Sequence, residues 1–142
     1  MLEKFPLLEA EYIDTGQVKY VAYPFNLGRP EMALATEAAW CAQDQGKFFE
    51  YQHALFENQG MIAYDQASLI NLALETGLDG AEFTQCLSSR KHQADVENAR
   101  QAAANRGVNS TPTFFVNNQR VTGNQLYDVF QRVIEQELVL AQ

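Results

Sequence analysis

Apolar residues recur every three to four positions over most of this chain, which is the spacing of one face of an α-helix. Glycines follow several of these stretches, as is common where a helix ends in the left-handed conformation. The predicted helices cover residues 2–15, 31–45, 47–58, 66–76, about 79–88, 92–106 and 124–140. The first of them has no preceding capping residue, so we interpret it as the second half of a longer helix.

Three short segments have the composition of β-strands instead. Residues 17–23 and 113–116 are rich in β-branched and aromatic residues, and residues 120–122 follow the second segment after the turn Asn117-Asn118. This pattern predicts one isolated strand and, far from it in the sequence, a β-hairpin. Residues 24–30 contain two prolines and a glycine and are predicted to form a loop. A strand and a hairpin separated by a block of helices indicate an α/β protein.

Composition excludes several classes of protein. The chain has 142 residues, of which 46% are hydrophobic and 20% charged, as expected for one globular domain. Its 10 basic residues are outnumbered by 18 acidic ones, giving a net charge of -8. Since binding to phosphate-rich surfaces requires clustered Lys and Arg, nucleic acids and anionic membranes are not expected partners.

Targeting and metal-binding patterns are also missing from the sequence. No apolar run approaches the roughly 18–20 residues that span a bilayer, and residues 1–16 do not resemble a signal peptide. The residues that could bind zinc are Cys41, Cys86, His53 and His92, and their spacing does not suggest a zinc site. We therefore expect no metal, no cofactor and no membrane span.

The segment Gly107–Gly123, GVNSTPTFFVNNQRVTG, resembles the cis-proline loop and following hairpin of thioredoxin-fold proteins of the DsbA type. Three further segments resemble other parts of that family in the same order, namely Phe5–Tyr20, Glu37–Phe56 and Phe83–Lys91. The resemblance implies an α/β thioredoxin-like fold with an inserted helical domain.

In this interpretation residues 1–142 form a single DsbA-like domain. The helical insert covers about residues 31–106, and the thioredoxin core is built from about residues 1–30 and 107–142. In the family, a redox-active Cys-x-x-Cys lies at the start of the helix that Phe5 continues, and this sequence contains no such motif. We therefore expect the chain to be N-terminally truncated, to lack the first strand of the fold, to contain no catalytic residue, and to be inactive alone.

The resemblance also assigns roles to residues in the chain. It implies a cis bond between Thr111 and Pro112, whose loop binds an extended substrate peptide through backbone groups. Cys41 and Cys86 could be a redox pair, two free buried thiols or a structural disulfide, and the resemblance favours the disulfide. His53 is interpreted as a packing or surface histidine. The aromatic residues of the insert, Trp40, Phe48, Phe49, Tyr51 and Phe56, are interpreted as core.

The function implied by the resemblance is thiol–disulfide oxidoreduction, forming or rearranging disulfides in exported polypeptides. It would place the protein in the periplasm, in the cell envelope or outside the cell. The alternative is a non-catalytic module that uses the groove at Thr111-Pro112 to bind peptides or another protein. A third interpretation is a relative that acts on glutathione-linked substrates. Since the expected missing strand is central in the fold, we also expect a homodimer or a strand swap.

Overall fold

A computed structural model describes residues 4–26 and 28–142 of the chain. Its elements are α1 (Phe5–Leu8), a π-helix (Glu9–Ile13), α2 (Pro30–Asp44), α3 (Phe48–Glu57), α4 (Gln66–Glu75), α5 (Gly80–Ser88), α6 (Gln93–Asn105), β1 (Thr113–Val116), β2 (Gln119–Thr122) and α7 (Tyr127–Leu140). The chain divides into two compact units. The discontinuous unit consists of Met1–Ala22 and Gly107–Gln142, and the helical unit of Tyr23–Arg106.

The helical unit is built around α2, whose sequence is rich in alanine. Ala38 and Ala42 are completely buried, and their small side chains allow neighbouring helices to pack closely against α2. Helices α3 and α5 both contact it. On α3, Tyr51 is also completely buried, and its hydroxyl donates a 3.0 Å hydrogen bond to the carbonyl of Leu69 in α4. Its ring lies 5.3 Å from that of Phe83 in α5, so one aromatic side chain links three helices.

The start of α5 is fixed by side-chain hydrogen bonds. Asp79 caps the helix, because its carboxylate accepts a 2.8 Å hydrogen bond from the backbone N–H of Glu82. Gln45, which follows α2, accepts a 2.8 Å hydrogen bond from the N–H of Asp79 and donates one of 3.2 Å to its carbonyl. The end of α2 and the beginning of α5 are therefore held side by side.

The discontinuous unit packs a β-hairpin with α7 and the N-terminal helical turns. Strands β1 and β2 are antiparallel, with Phe114 opposite Val121, and they form a two-stranded sheet. Phe114 packs edge-on against Phe130 of α7 at a ring separation of 4.9 Å. The buried core of this unit consists of Leu8, Tyr12, Val121, Phe130 and Ile134.

The strand predicted over residues 17–23 is not formed. Residues 18–23 have no regular secondary structure, and Val21 and Tyr23 are 54% and 73% exposed. A strand needs a partner for its backbone groups, and the sheet in the described ranges contains only β1 and β2. Composition favourable to a strand was therefore not sufficient here.

The predicted helices are found, with shifted ends. The described part of the first one runs from Phe5 to Ile13 and changes to a π-helix at Glu9, while residues 2 and 3 lie outside the described residues. The last helix begins at Tyr127 rather than at residue 124. Across residues 4–26 and 28–142, none of the helices has the length and apolarity needed to cross a bilayer.

Candidate functional site

The first candidate site is the loop before β1, which contains Thr111 and Pro112. The Thr111–Pro112 peptide bond is cis. The carbonyl of Pro112 accepts a 2.8 Å hydrogen bond from the N–H of Gly123, the residue that follows β2. The hydroxyl of Thr113 donates a 2.7 Å hydrogen bond to the carbonyl of Ser110. These bonds fix the loop on both sides of Thr111.

Thr111 itself is exposed at the surface of this loop. Among the described residues, neither its backbone N–H nor its C=O takes part in a hydrogen bond. An exposed residue with a free donor and a free acceptor can form hydrogen bonds with the backbone of an extended peptide.

The second place is the disulfide between Cys41 of α2 and Cys86 of α5. The S–S distance is 2.05 Å and the Cα atoms are 5.9 Å apart. Cys41 is 1% exposed and Cys86 is 8% exposed. Of the three alternatives that the sequence left open, the structure therefore contains the disulfide, and it links two helices within the helical unit.

His92, immediately before α6, lies beside this disulfide and between two carboxylates. Its Nε2 is 2.9 Å from Asp44 Oδ2, and its Nδ1 is 2.6 Å from Asp95 Oδ2. Burial alone would lower the pKa of His92, but the hydrogen bonds and charges of Asp44 and Asp95 outweigh burial and raise it above the usual value. Burial acts to raise the pKa of Asp44, but Lys91 and His92 lower it further than burial raises it.

The spacing of Cys41, Cys86, His53 and His92 along the sequence did not indicate that three of them lie close together in the fold. One ligand atom from each of Cys41, Cys86 and His92 lies within 4.8 Å of the others. The fourth, His53, lies on the exposed surface of α3 and pairs with Glu57. The cluster depends on tertiary packing of α2, α5 and the segment before α6, which spacing along the sequence does not reveal.

A local signal for part of this cluster was present in the sequence. Cys41 and Asp44 are three residues apart on α2, and this spacing places both on one face of a helix. Cys86 Sγ is 3.7 Å from Asp44 Oδ2, so the same carboxylate contacts both the disulfide and His92. Trp40, the only tryptophan of the chain, stacks on the ring of His92 at 5.7 Å.

The interpretation of the insert's aromatic residues as core holds for some of them only. Phe48 and Tyr51 are 5% and 0% exposed, and Trp40 is partly buried. Phe49 and Phe56 are each 47% exposed, because they lie on the outward side of α3. Helical spacing identified the residues on the buried side but did not show where that side ends.

The helical unit also contains an ion pair with a buried carboxylate that no pattern in the sequence indicated. Glu37 of α2 is 2% exposed, and Arg90 binds its carboxylate through two hydrogen bonds of 2.6 and 2.7 Å. Arg90 has a positive φ of 53°, so the turn after α5 directs its side chain back to α2. The pair links the turn after α5 to α2, the helix to which the disulfide links α5 itself.

A hairpin preceded by a cis-proline loop and packed on a helix, together with a separate helical unit, is an α/β arrangement of thioredoxin-like type. A thioredoxin family model matches residues 2–136, and the chain belongs to this family.

Several curated relatives are similar to the chain over most of its length. A protein of Rickettsia typhi that carries the provisional name protein-disulfide oxidoreductase is 28% identical over 138 residues, covering 94% of this chain and 50% of its own length. A relative of the same provisional name in Rickettsia prowazekii has the same identity and coverage. The Na⁺/H⁺ antiporter NhaA 3 of Salinispora tropica is 32% identical over 120 residues, which are 83% of this chain and 18% of the antiporter. The chain thus spans about half the length of the Rickettsia proteins.

Proposed function

We propose that this chain is the peptide-binding part of a DsbA-type thiol–disulfide oxidoreductase that forms or rearranges disulfides in exported polypeptides. The observation that carries the proposal is the family match, which runs through the whole loop and hairpin from Gly107 to Gly123. The provisional names of the Rickettsia relatives support the same kind of reaction. Such a protein acts in the periplasm, in the cell envelope or outside the cell, where disulfides persist.

In this proposal the redox centre is not formed by these 142 residues. Thiol–disulfide exchange needs a thiolate that attacks a disulfide and a second sulfur that resolves the mixed disulfide. The two cysteines of the sequence, Cys41 and Cys86, are 45 positions apart and bonded to each other within the helical unit. Neither lies at the N-terminus of a helix, the position that activates a thiolate in this family. A Cys-x-x-Cys elsewhere in the natural protein would perform the exchange.

In the proposed reaction, Thr111 holds the substrate in an extended conformation. Its N–H donates to a substrate carbonyl and its C=O accepts from a substrate N–H, so the peptide lies alongside the loop like an added strand. Binding through backbone groups suits an enzyme with many substrates, because all unfolded polypeptides offer the same backbone donors and acceptors.

Peptide binding is tested by titrating a fluorescently labelled, alkylated unfolded peptide and measuring its anisotropy. Thr111→Pro removes one backbone donor, and the loss of one hydrogen bond should weaken binding roughly twofold to tenfold. Thr111→Ala is the matched control, since it keeps both backbone groups and should bind like the original chain. Equal binding by all three proteins, each with an unchanged circular dichroism spectrum, would contradict the proposal.

The alternative function is a non-catalytic module that binds peptides or another protein at the same loop. The feature that favours it is the absence of Cys-x-x-Cys from the sequence. The mass of the native protein separates the two functions. A mass that requires additional residues containing a Cys-x-x-Cys supports the oxidoreductase, whereas a mass equal to that of these 142 residues supports the binding module.

A further inference from the structure

We propose that reduction of the Cys41–Cys86 disulfide creates a zinc site formed by Cys41, Cys86, His92 and Asp44. This inference concerns a different unit from the peptide-binding loop and does not depend on the proposed function. Two thiolates, one imidazole and one carboxylate form a ligand set that zinc binds with tetrahedral geometry.

The donor atoms are already close enough for one metal ion. One atom each from Cys41, Cys86 and His92 lies within 4.8 Å of the others, and Asp44 Oδ2 is 2.9 Å from His92 Nε2 and 3.7 Å from Cys86 Sγ. A tetrahedral zinc with Zn–S bonds of about 2.3 Å holds two thiolate sulfurs roughly 3.8 Å apart. Side-chain rotation at Cα atoms 5.9 Å apart allows that separation once the sulfurs are free.

The surroundings of His92 match those of a metal-binding histidine. Zinc-binding histidines usually donate their other ring N–H to a carboxylate, which fixes the ring and the position of its proton. Asp95 Oδ2, 2.6 Å from Nδ1, is placed to accept that proton, and Nε2 then faces Asp44. Stacking against Trp40 further restricts rotation of the ring.

Charge and access also favour a metal ion. Two thiolates and the Asp44 carboxylate give the ligand set three negative charges, and zinc neutralises two of them. The Lys91 ammonium lies 2.7 Å from Asp44 Oδ2 and balances the remaining one. The side chain of Asp44 is 28% exposed, so an ion can enter from solvent on that side of the otherwise buried cluster.

The reaction requires a two-electron reductant such as a dithiol or a phosphine. A phosphine breaks the S–S bond and is oxidised to its oxide with an oxygen atom from water, while the two hydrogens of that water protonate the two sulfurs. Zinc then binds both sulfurs and displaces their two protons to solvent. Zinc thereby replaces the disulfide as the link between α2 and α5.

The test uses the full chain, reduced with a phosphine under anaerobic conditions and freed of it by gel filtration. Cobalt(II) is the spectroscopic probe, and we expect one equivalent to give a thiolate-to-cobalt charge-transfer band and the visible bands of tetrahedral cobalt. Because Trp40 stacks on His92, cobalt should also quench its fluorescence. Zinc should displace the cobalt, and the chain with its disulfide intact should show none of these signals.

Variants distinguish this site from non-specific binding to free thiols. Asp95→Asn removes the carboxylate behind His92 and should weaken cobalt binding about tenfold or more. His92→Asn should weaken it further, and His53→Asn, which alters an exposed histidine on α3, should leave it unchanged. A reduced chain that binds no stoichiometric cobalt would overturn the proposal. So would reduced His92→Asn and Asp95→Asn proteins that bind cobalt as tightly as the original chain.

Discussion

The carboxylate of Glu37 lies almost out of contact with water inside the helical unit, and its charge is balanced by the guanidinium of Arg90. The two parallel hydrogen bonds raise the pKa of Arg90 above its usual value. Removing the partner of a buried charge is costly, because the charge is then left with neither a partner nor solvent. We therefore expect the chain to lose stability when Arg90 is replaced and Glu37 is kept.

Arg90→Ala should destabilise the chain by roughly 1–3 kcal/mol, since it leaves the acceptors of a buried carboxylate unsatisfied. Urea denaturation followed by circular dichroism measures the change. Arg100→Ala is the matched control, because Arg100 pairs with Glu97 at the exposed surface of α6 and should contribute little. Equal stability losses in the two variants would show that the buried Glu37 carboxylate does not need the hydrogen bonds of Arg90.

At the scale of single residues, sequence was informative where a short motif carried the information. The run from Gly107 to Gly123 led directly to the loop at Thr111-Pro112. The pairing of Glu37 with Arg90 joins positions 53 residues apart, and the carboxylates around His92 come from two different helices. No local pattern encodes such contacts, because they exist only when the helices have packed.

At the scale of secondary structure elements, the stability and position of α5 depend on the hydrogen bonds at its N-terminus. The Asp79 carboxylate satisfies a backbone N–H that the helix cannot satisfy itself, and Gln45 ties this position to the end of α2. Helix α5 also carries Cys86 and Phe83, which bond to and pack on neighbouring helices. Its start therefore helps to position the cysteine opposite Cys41.

Asp79→Ala should lower the free energy of unfolding by about 1 kcal/mol, because the capping hydrogen bond is lost. Asp79→Asn should be nearly neutral, since asparagine caps helices about as well as aspartate. Thermal denaturation of both variants, with the disulfide intact, measures the difference. The interpretation fails if both substitutions lower the melting temperature equally, which would indicate a role for the charge rather than for the cap.

Helices were predictable from sequence because their periodicity is local and their ends carry glycine signals. Gly46 and Gly77 have φ values of 70° and 77° and follow α2 and α4 where the sequence indicated. The predicted strand at residues 17–23 illustrates the opposite case. Its formation depends on a neighbouring strand. The sequence of the segment itself does not show whether such a neighbour is present.

At the scale of the whole molecule, the buried apolar residues are divided unequally between the two units. The discontinuous unit has a core of five buried residues, and its sheet has two strands in the part of the chain that the structure describes. Two-stranded hairpins are only marginally stable alone, and open strand edges pair readily with other chains. The unit also exposes Leu126, Val139 and Leu140, by 68%, 69% and 77%.

We therefore expect the isolated chain to self-associate, as a homodimer or by exchange of a strand. Size-exclusion chromatography over a range of concentrations should show a species larger than the monomer that increases with concentration. Thermal unfolding should be broad or depend on concentration. A single monomer at every concentration, with a cooperative transition above about 60 °C, would be incompatible with this expectation.

The most direct test of the functional account is the rate at which this chain reduces insulin with dithiothreitol as the electron donor. We propose that the loop at Thr111 binds peptide and that the redox-active cysteine pair lies outside this sequence. Insulin should therefore precipitate at the uncatalysed rate, whether or not the chain is present. Turnover well above that rate, abolished by Cys41→Ser, would contradict the account and would make the Cys41–Cys86 pair the redox centre.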